Sequence, residues 1–331
     1  VTLSKDTNGA HRHSVDDNQA SLACKEARSV MGIRNEHTIA SSCAISGRGY
    51  WSGKDVRVTC CPAPAGTGIV LVRSDLPGEP ECPANTQFAT GVSFRTNLAN
   101  GPAKFEMVEH LMAAFAGLEI DNCRVEITSE ELPGLDGSSL PYVEALQEAG
   151  LVIQAAASQP LTIREPFRLE HGGGYVDVSP TTQGEAVYEY CLDYGPASAI
   201  PQQSFRCVPT PHTFARQVAS ARTFVTADQA LQLRQSGVAS HVTHQDLLVI
   251  SDEGPVENEY RFRNECARHK TLDLIGDLSL AGVSLIGQFS SVRGGHQLNG
   301  MVAVRLAELA QQQQRNQPAN QPICLQQRRA A

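Results

Sequence analysis

The residue types suited to chemistry gather in a few short segments of this 331-residue chain. In RHKTLDLIGDL (268–278), His269 and Asp273 stand at i and i+4, a spacing that sets two side chains about one turn apart on one helix face. An imidazole and a carboxylate placed so can share a metal ion, and Asp277 continues the face. Leu272, Leu274 and Ile275 make the opposite positions apolar, so this is not simply the wet side of a surface helix. A surface His–Asp pair is the plain alternative, because such pairs are common at this spacing.

A second segment opens with Glu109-His110 and runs into LMAAFAGL. Adjacent side chains on a helix diverge by about 100°, so one can bind a metal while the other addresses a metal-held water. His110, His269 and Asp273 would make a three-ligand zinc set with an open fourth position, and Glu109 a general base. No second His follows four residues on, so this is not HExxH. A capping Glu beside a satisfied core His explains the segment equally well when it is taken alone. RGGH (293–296) offers glycines for close backbone approach and a loop histidine, His296, as a candidate acid. ARTF (221–224) supplies a hydroxyl and an aromatic ring. His241 and His244 are spaced like ligands, lack a neighbouring acid and read as loop residues, and His11, His13, His171 and His212 have no useful context. GRGYWSG (47–53) reads as a turn between strands, and no P-loop or GxSxG motif is present.

These residues need elements to position them. Alternation at Val56, Val58 and Cys60, at Cys123, Val125 and Ile127, and across 186–192 predicts half-buried strands, and 68–72 predicts another. Helices are predicted over 108–117, over 141–149 with Gly150 after its end, over 227–236 with a Thr226/Gln229 capping box and Gly237 closing it, over 266–280, and around Val302, Leu306 and Leu309. Strands followed by helices, twice over, favour an α+β fold. His110 and His269 each start an apolar helical run with Gly seven residues on, Gly117 and Gly276, which suggests related halves meeting near 155–159.

Composition narrows the function classes. The formal net charge is -8, against general nucleic-acid or anionic-membrane binding. The longest apolar runs, such as 111–118, fall far short of the roughly 20 residues of a membrane span. Ten cysteines form no CxxC pair or disulfide framework, which suits thiols in a reducing compartment. The first residues lack the apolar core of a signal peptide and carry Asp6, Asp16, Asp17 and Glu26, so the cytoplasm is expected. Residues 1–34 read as a mobile extension, 35–156 and 157–310 as two α+β domains, and 311–331 as a Gln-rich tail.

Together EHLMAAFAGLEIDN (109–122), LPGLDGSSLPYVEAL (132–146), ARTF (221–224), RHKTLDLIGDL (268–278) and GGHQLN (294–299) resemble, in order and spacing, the UDP-3-O-acyl-N-acetylglucosamine deacetylase family of lipid A biosynthesis. GRGYWSGKDV (47–56) and PAPAGTGIVLVRSDLPG (62–78) resemble its N-terminal half. The resemblance implies two similar domains, each a sheet packed on helices, with the active site between them and an insert in each. The second insert, near 223–257, would help form an apolar passage for the acyl chain, with Leu231, Leu233, Val238, Leu247 and Val249 as candidate lining. Zn2+ would be held by His110, His269 and Asp273. Glu109 would be the base, His296 the catalytic histidine, Asp277 its supporting acid and Thr223 the oxyanion-stabilising hydroxyl. Phe224, Lys270 and Arg293 would contact a UDP-linked acylated amino sugar, with Lys270 and Arg293 facing its diphosphate. Asn97 stands where a second Thr is expected in an RTTL-like segment. A monomer is expected. The competing functions are a zinc amidase of another N-acylated sugar and a catalytically silent binding homologue.

Overall fold

The computed structural model describes residues 34–91, 94–237 and 239–316. The predicted extension therefore lies outside the described residues except for Arg34, whose guanidinium donates to both carboxylate oxygens of Asp121 at 2.6 and 2.9 Å. Val238 and the tail from 317 onward lie outside them too.

The first half contains β1 (Asn35–Ile39), β2 (Cys43–Arg48), β3 (Asp55–Pro62), β4 (Ile69–Arg73), β5 (Glu81–Pro83), β6 (Ala89–Thr90), β7 (Asn97–Asn100), β8 (Ala103–Glu106), α1 (Glu109–Gly117), β9 (Cys123–Ile127), α2 (Leu140–Ala149) and β10 (Leu151–Ala157). The second contains β11 (Leu161–Thr162), β12 (Phe167–His171), β13 (Gly174–Ser179), β14 (Ala186–Leu192), β15 (Gln203–Cys207), α3 (Pro211–Gln217), β16 (Phe224–Thr226), α4 (Ala227–Gln235), β17 (Leu248–Ser251), β18 (Gly254–Pro255), α5 (Glu265–Ser279), β19 (Leu285–Val292) and α6 (His296–Asn316).

The two main sheets share one plan. The first has the order β2-β3-β9-β4-β5 and the second β12-β13-β19-β14-β15, with β11 added beside β19. In both, the pairings along the order run antiparallel, antiparallel, parallel, antiparallel. In both, one helix (α1 or α5) precedes the central strand and another (α2 or α6) follows it. Each half also carries a small three-stranded insert sheet at the same point of the plan: β6-β7-β8 before α1, and β16-β17-β18 before α5. The α+β expectation holds, as does that of two similar halves. Alternation made the strands legible: β3 buries Val56, Val58 and Cys60 and turns Asp55 and Arg57 outward. Gly150, at φ 73°, ends α2 one residue after Ala149.

The halves meet where α1 packs on α5, and a glycine permits it. A Cβ on Gly276 would lie 2.1 Å from the Glu109 carbonyl oxygen, so the backbones touch where any side chain would hold them apart. Two expectations at the far end are corrected. His296 is not a loop residue; it is the first residue of α6, with Gly294 and Gly295 forming the turn before it and the Asn299 N–H donating to the Gly295 carbonyl. The tail does not begin at 311; α6 runs to Asn316, where the Gln313 amide satisfies the Pro160 carbonyl and the Thr162 N–H. Glutamine is a good helix former, so its enrichment did not end the helix.

Candidate active site

α1 and α5 bring the two histidines together from opposite halves. The His110 and His269 rings meet edge to face with centroids 5.1 Å apart. His110 Nε2 lies 3.7 Å and His269 Nε2 3.4 Å from Asp273 Oδ1. All three residues are buried, and one ligand atom from each lies within 4.8 Å of the others. Among the described residues this is the one group of three or more His, Cys, Asp or Glu so arranged.

Four observations test whether the residues suit a cation. Asp273 Oδ1 is buried with no hydrogen-bond partner, an arrangement that costs free energy unless something positive meets it. His269 Nδ1 faces the Ala221 carbonyl at 3.1 Å, which places the proton on Nδ1 and leaves the Nε2 lone pair toward Asp273. Burial pushes His269 down to about 3, so the ring is neutral, the form that ligates metals. Burial opposes ionisation of Asp273, but the positive charges of Lys270 and His296 outweigh it and hold that carboxyl well below the ordinary range. The donor set fits a divalent cation of borderline softness.

Glu109 precedes His110 in α1 and is buried. Burial raises its affinity for a proton, against the pull of His296 and His110; a base poised this way accepts a proton more readily than a solvated carboxylate. His296 Nδ1 lies 3.0 Å from Asp277 Oδ2, and Nε2 3.9 Å from Asp273 Oδ2. Burial disfavours its charge, but Asp277, Asp273 and Glu109 overcome this and lift it to about 9. Thr223 Oγ1 sits 3.0 Å from His269 Nε2 and 3.5 Å from His110 Nε2. Its backbone N–H donates to the Gly137 carbonyl at 2.7 Å, so a hydroxyl from the second half is anchored to the first. Phe224 lies edge-on to His269, with centroids 6.1 Å apart. Lys270 Nζ donates to Asp273 Oδ2 at 2.9 Å; burial works against its charge, and Asp273 with Tyr190 and Tyr194 holds its pKa raised.

Nine of the ten residues singled out in the sequence thus form one cluster. Arg293 stands apart: its guanidinium is half exposed and paired with Asp193 at 2.5 Å. His241 and His244 are loop residues, against the carbonyls of Gly49 and Val256. The candidate lining residues of the acyl passage differ in placement. Val249 belongs to the buried strand β17, and α4 buries none of its residues, with Leu231 56% exposed. The middle strand of the insert sheet is the one covered on both edges, so β17 and not α4 supplies its core.

Sequence reasoning missed several partners. Asn299 Nδ2 donates to Asp277 Oδ2 at 2.9 Å. Arg222 and Glu265 form a buried pair at 2.8 Å whose other bonds hold Asn258 and the Glu259 carbonyl; it fixes the segment before Thr223 to the first turn of α5. Thr96 touches both Glu109 and Asp277. Asn299 and Arg222 lie inside the quoted GGHQLN and ARTF segments, which was the available signal.

A buried His-His-Asp set that could hold one metal ion, a buried carboxyl of raised proton affinity and a carboxylate-supported histidine, held between two alike α+β halves, are the parts a metal-dependent hydrolase requires. Comparison with known proteins makes that class specific. Residues 36–308 match the LpxC family, UDP-3-O-acyl N-acetylglycosamine deacetylase, and the chain belongs to that family. It is 36% identical over 266 residues to UDP-3-O-acyl-N-acetylglucosamine deacetylase of Anaeromyxobacter sp. (strain Fw109-5), covering 80% of this chain and 86% of that one. The protein of that name from Nostoc sp. is 36% identical over 83% of this chain and 99% of its own. The Thermosynechococcus vestitus protein is 37% identical over 82% and 94%.

Proposed function

We propose that the chain hydrolyses the N-acetyl group of UDP-3-O-acyl-N-acetylglucosamine, releasing acetate, as a step of lipid A biosynthesis, with Zn2+ held by His110, His269 and Asp273. The observation that carries this reading is the unpartnered Asp273 Oδ1 facing two imidazole Nε2 atoms, with Glu109 beside them, in a chain of this family. The bound cation would polarise the acetamide carbonyl and acidify a water. Glu109 takes the proton of the attacking water. The Thr223 hydroxyl donates to the oxyanion as the carbonyl becomes tetrahedral. When the C–N bond breaks, His296 gives its proton to the departing nitrogen, and Asp277 keeps the ring cationic until then. Lys270 meets the substrate near Asp273, and Phe224 packs on the sugar. Arg293 reaches the diphosphate by leaving Asp193. Leu231 and the half-buried Leu233 and Leu247 offer apolar surface to the acyl chain.

The same reading takes the chain as two domains divided near 156, with an insert at 223–257. β10 returning to pair with β1, and β11 joining the second sheet, support that division. It also takes the protein as a cytoplasmic monomer; among the described residues no helix is long and apolar enough to cross a membrane.

The test is metal content together with deacetylation of the UDP-linked sugar carrying acyl chains of varied length. One zinc per chain, and kcat/KM falling as the acyl chain shortens, are expected. Each buried CH2 is worth up to ~0.8 kcal/mol. Equal rates without the long chain would favour a general amidase of N-acylated sugars, and metal binding without turnover a silent binding homologue.

A further inference from the structure

Thr96 lies two elements away from the metal helices, in the segment leading into β7, yet all three of its polar groups are committed around them. Its backbone N–H donates to Glu109 Oε2 at 3.0 Å, and its carbonyl accepts from Val108 N at 3.1 Å. Its hydroxyl donates to Asp277 Oδ1 at 2.5 Å and lies 3.3 Å from His296 Nδ1. Asp277 is thereby gripped on both oxygens: Oδ1 by Thr96, Oδ2 by His296 and Asn299.

We propose that Thr96 is the positioning residue that ties the base to the acid: its main chain sets the Glu109 carboxylate while its hydroxyl sets Asp277 and, through it, the His296 ring. This rests on the reading of Glu109 and His296 given above. A carboxylate with one oxygen held by a fixed N–H presents the other in one direction. An Asp–His pair with both carboxylate oxygens occupied presents the far ring nitrogen in one direction. Both aims are set by the same residue, so a single peptide ties the proton-accepting and proton-donating atoms together in addition to the packing of the two helices that carry Glu109 and Asp277. The interaction also joins the halves, since Thr96 and Glu109 belong to the first and Asp277 and His296 to the second.

The hydroxyl and the main chain can be separated by mutation. Thr96→Val keeps the volume and the N–H to Glu109 and removes only the donor to Asp277. In the metal-loaded full chain it should lower kcat by about 10- to 100-fold with KM and metal content unchanged, the scale of losing one hydrogen bond to a charged group. Thr96→Ser should recover most of that loss. In a His296→Ala background Thr96→Val should add little, because its effect passes through that ring. Independently of turnover, the downfield imidazole N–H resonance of His296, identified by its loss in His296→Ala, should move in Thr96→Val and stay in place in Thr96→Ser. A wild type inactive on the UDP-linked sugar would overturn the proposed function, while the resonance would still decide the role of Thr96. An unmoved resonance, an unchanged kcat in Thr96→Val, or full additivity with His296→Ala would overturn the positioning role.

Discussion

Replacing Gly276 by alanine tests the contact on which the whole site depends. A Cβ there would lie 2.1 Å from the Glu109 carbonyl oxygen, 3.0 Å from the Glu109 carbonyl carbon and 3.1 Å from Ala113 N. Cβ atoms essentially never come closer than 3.0 Å to another heavy atom, so α1 and α5 must part by roughly 0.9 Å. The obstructing atoms are backbone, so no side chain can swing aside. Helix propensity favours the alanine by about 1 kcal/mol; the forced separation opposes it by about 1–3 kcal/mol. Stability should therefore fall modestly or hardly at all. The site should suffer far more. Ligand distances tolerate only about 0.2 Å, and His110 rides on one helix while His269 and Asp273 ride on the other. Metal affinity should drop by at least about tenfold, read by chelator competition, with kcat reduced even at saturating metal. Gly300→Ala is the control, because a Cβ there meets nothing within 4 Å; it should raise the melting temperature and leave metal binding alone. Should Gly276→Ala bind metal as tightly as the wild type and melt higher, the helices would not be in backbone contact and the reasoning would fail.

Glu109→Ala should keep its metal and lose turnover by about 10²–10⁴-fold; a near-normal rate would reduce Glu109 to a structural residue. The pH profile of kcat/KM should fall on the acid side above the ordinary carboxylate range, since burial raises Glu109 and its working form is the anion. It should fall on the basic side near 9 as His296 loses the proton it must donate, and a basic limb that survives in His296→Ala would remove His296 from the mechanism. Arg222→Ala leaves the fully buried Glu265 without its ion-pair partner and should cost about 3–5 kcal/mol in urea unfolding; a loss below about 1 kcal/mol would contradict that account.

Local spacing carried much of the site. His269 and Asp273 were legible because helix geometry turns a separation of four into proximity, and Glu109 and His110 because an acid and an imidazole interrupt an otherwise apolar run. The matched glycines at 117 and 276 hinted at related halves, and both prove to be contact points: Gly117 faces the Phe214 ring, Gly276 the Glu109 backbone. Thr96 was not legible from spacing, and its one signal was its place in the RTTL-like segment beside Asn97. It sits 13 residues from Glu109 and 181 from Asp277, and a single threonine in a polar stretch carries no periodic signal. The surface position of α4 was not legible either, since Leu231 and Leu233 mark an apolar face by type without saying whether protein or solvent covers it. Arg293 was chosen for its charge, and Asp193, a hundred residues away, was the partner that sequence alone could not supply.

The His-His-Asp set proposed to hold the ion straddles the contact between the halves: one imidazole comes from the first, the other imidazole and the carboxylate from the second. Any ion bound there is a cross-link as well as a reagent. By linkage, whatever loosens the two halves weakens the ion, and whatever strips the ion loosens the halves by the same free energy. The affinity of the centre is thus a gauge of how firmly the molecule is shut.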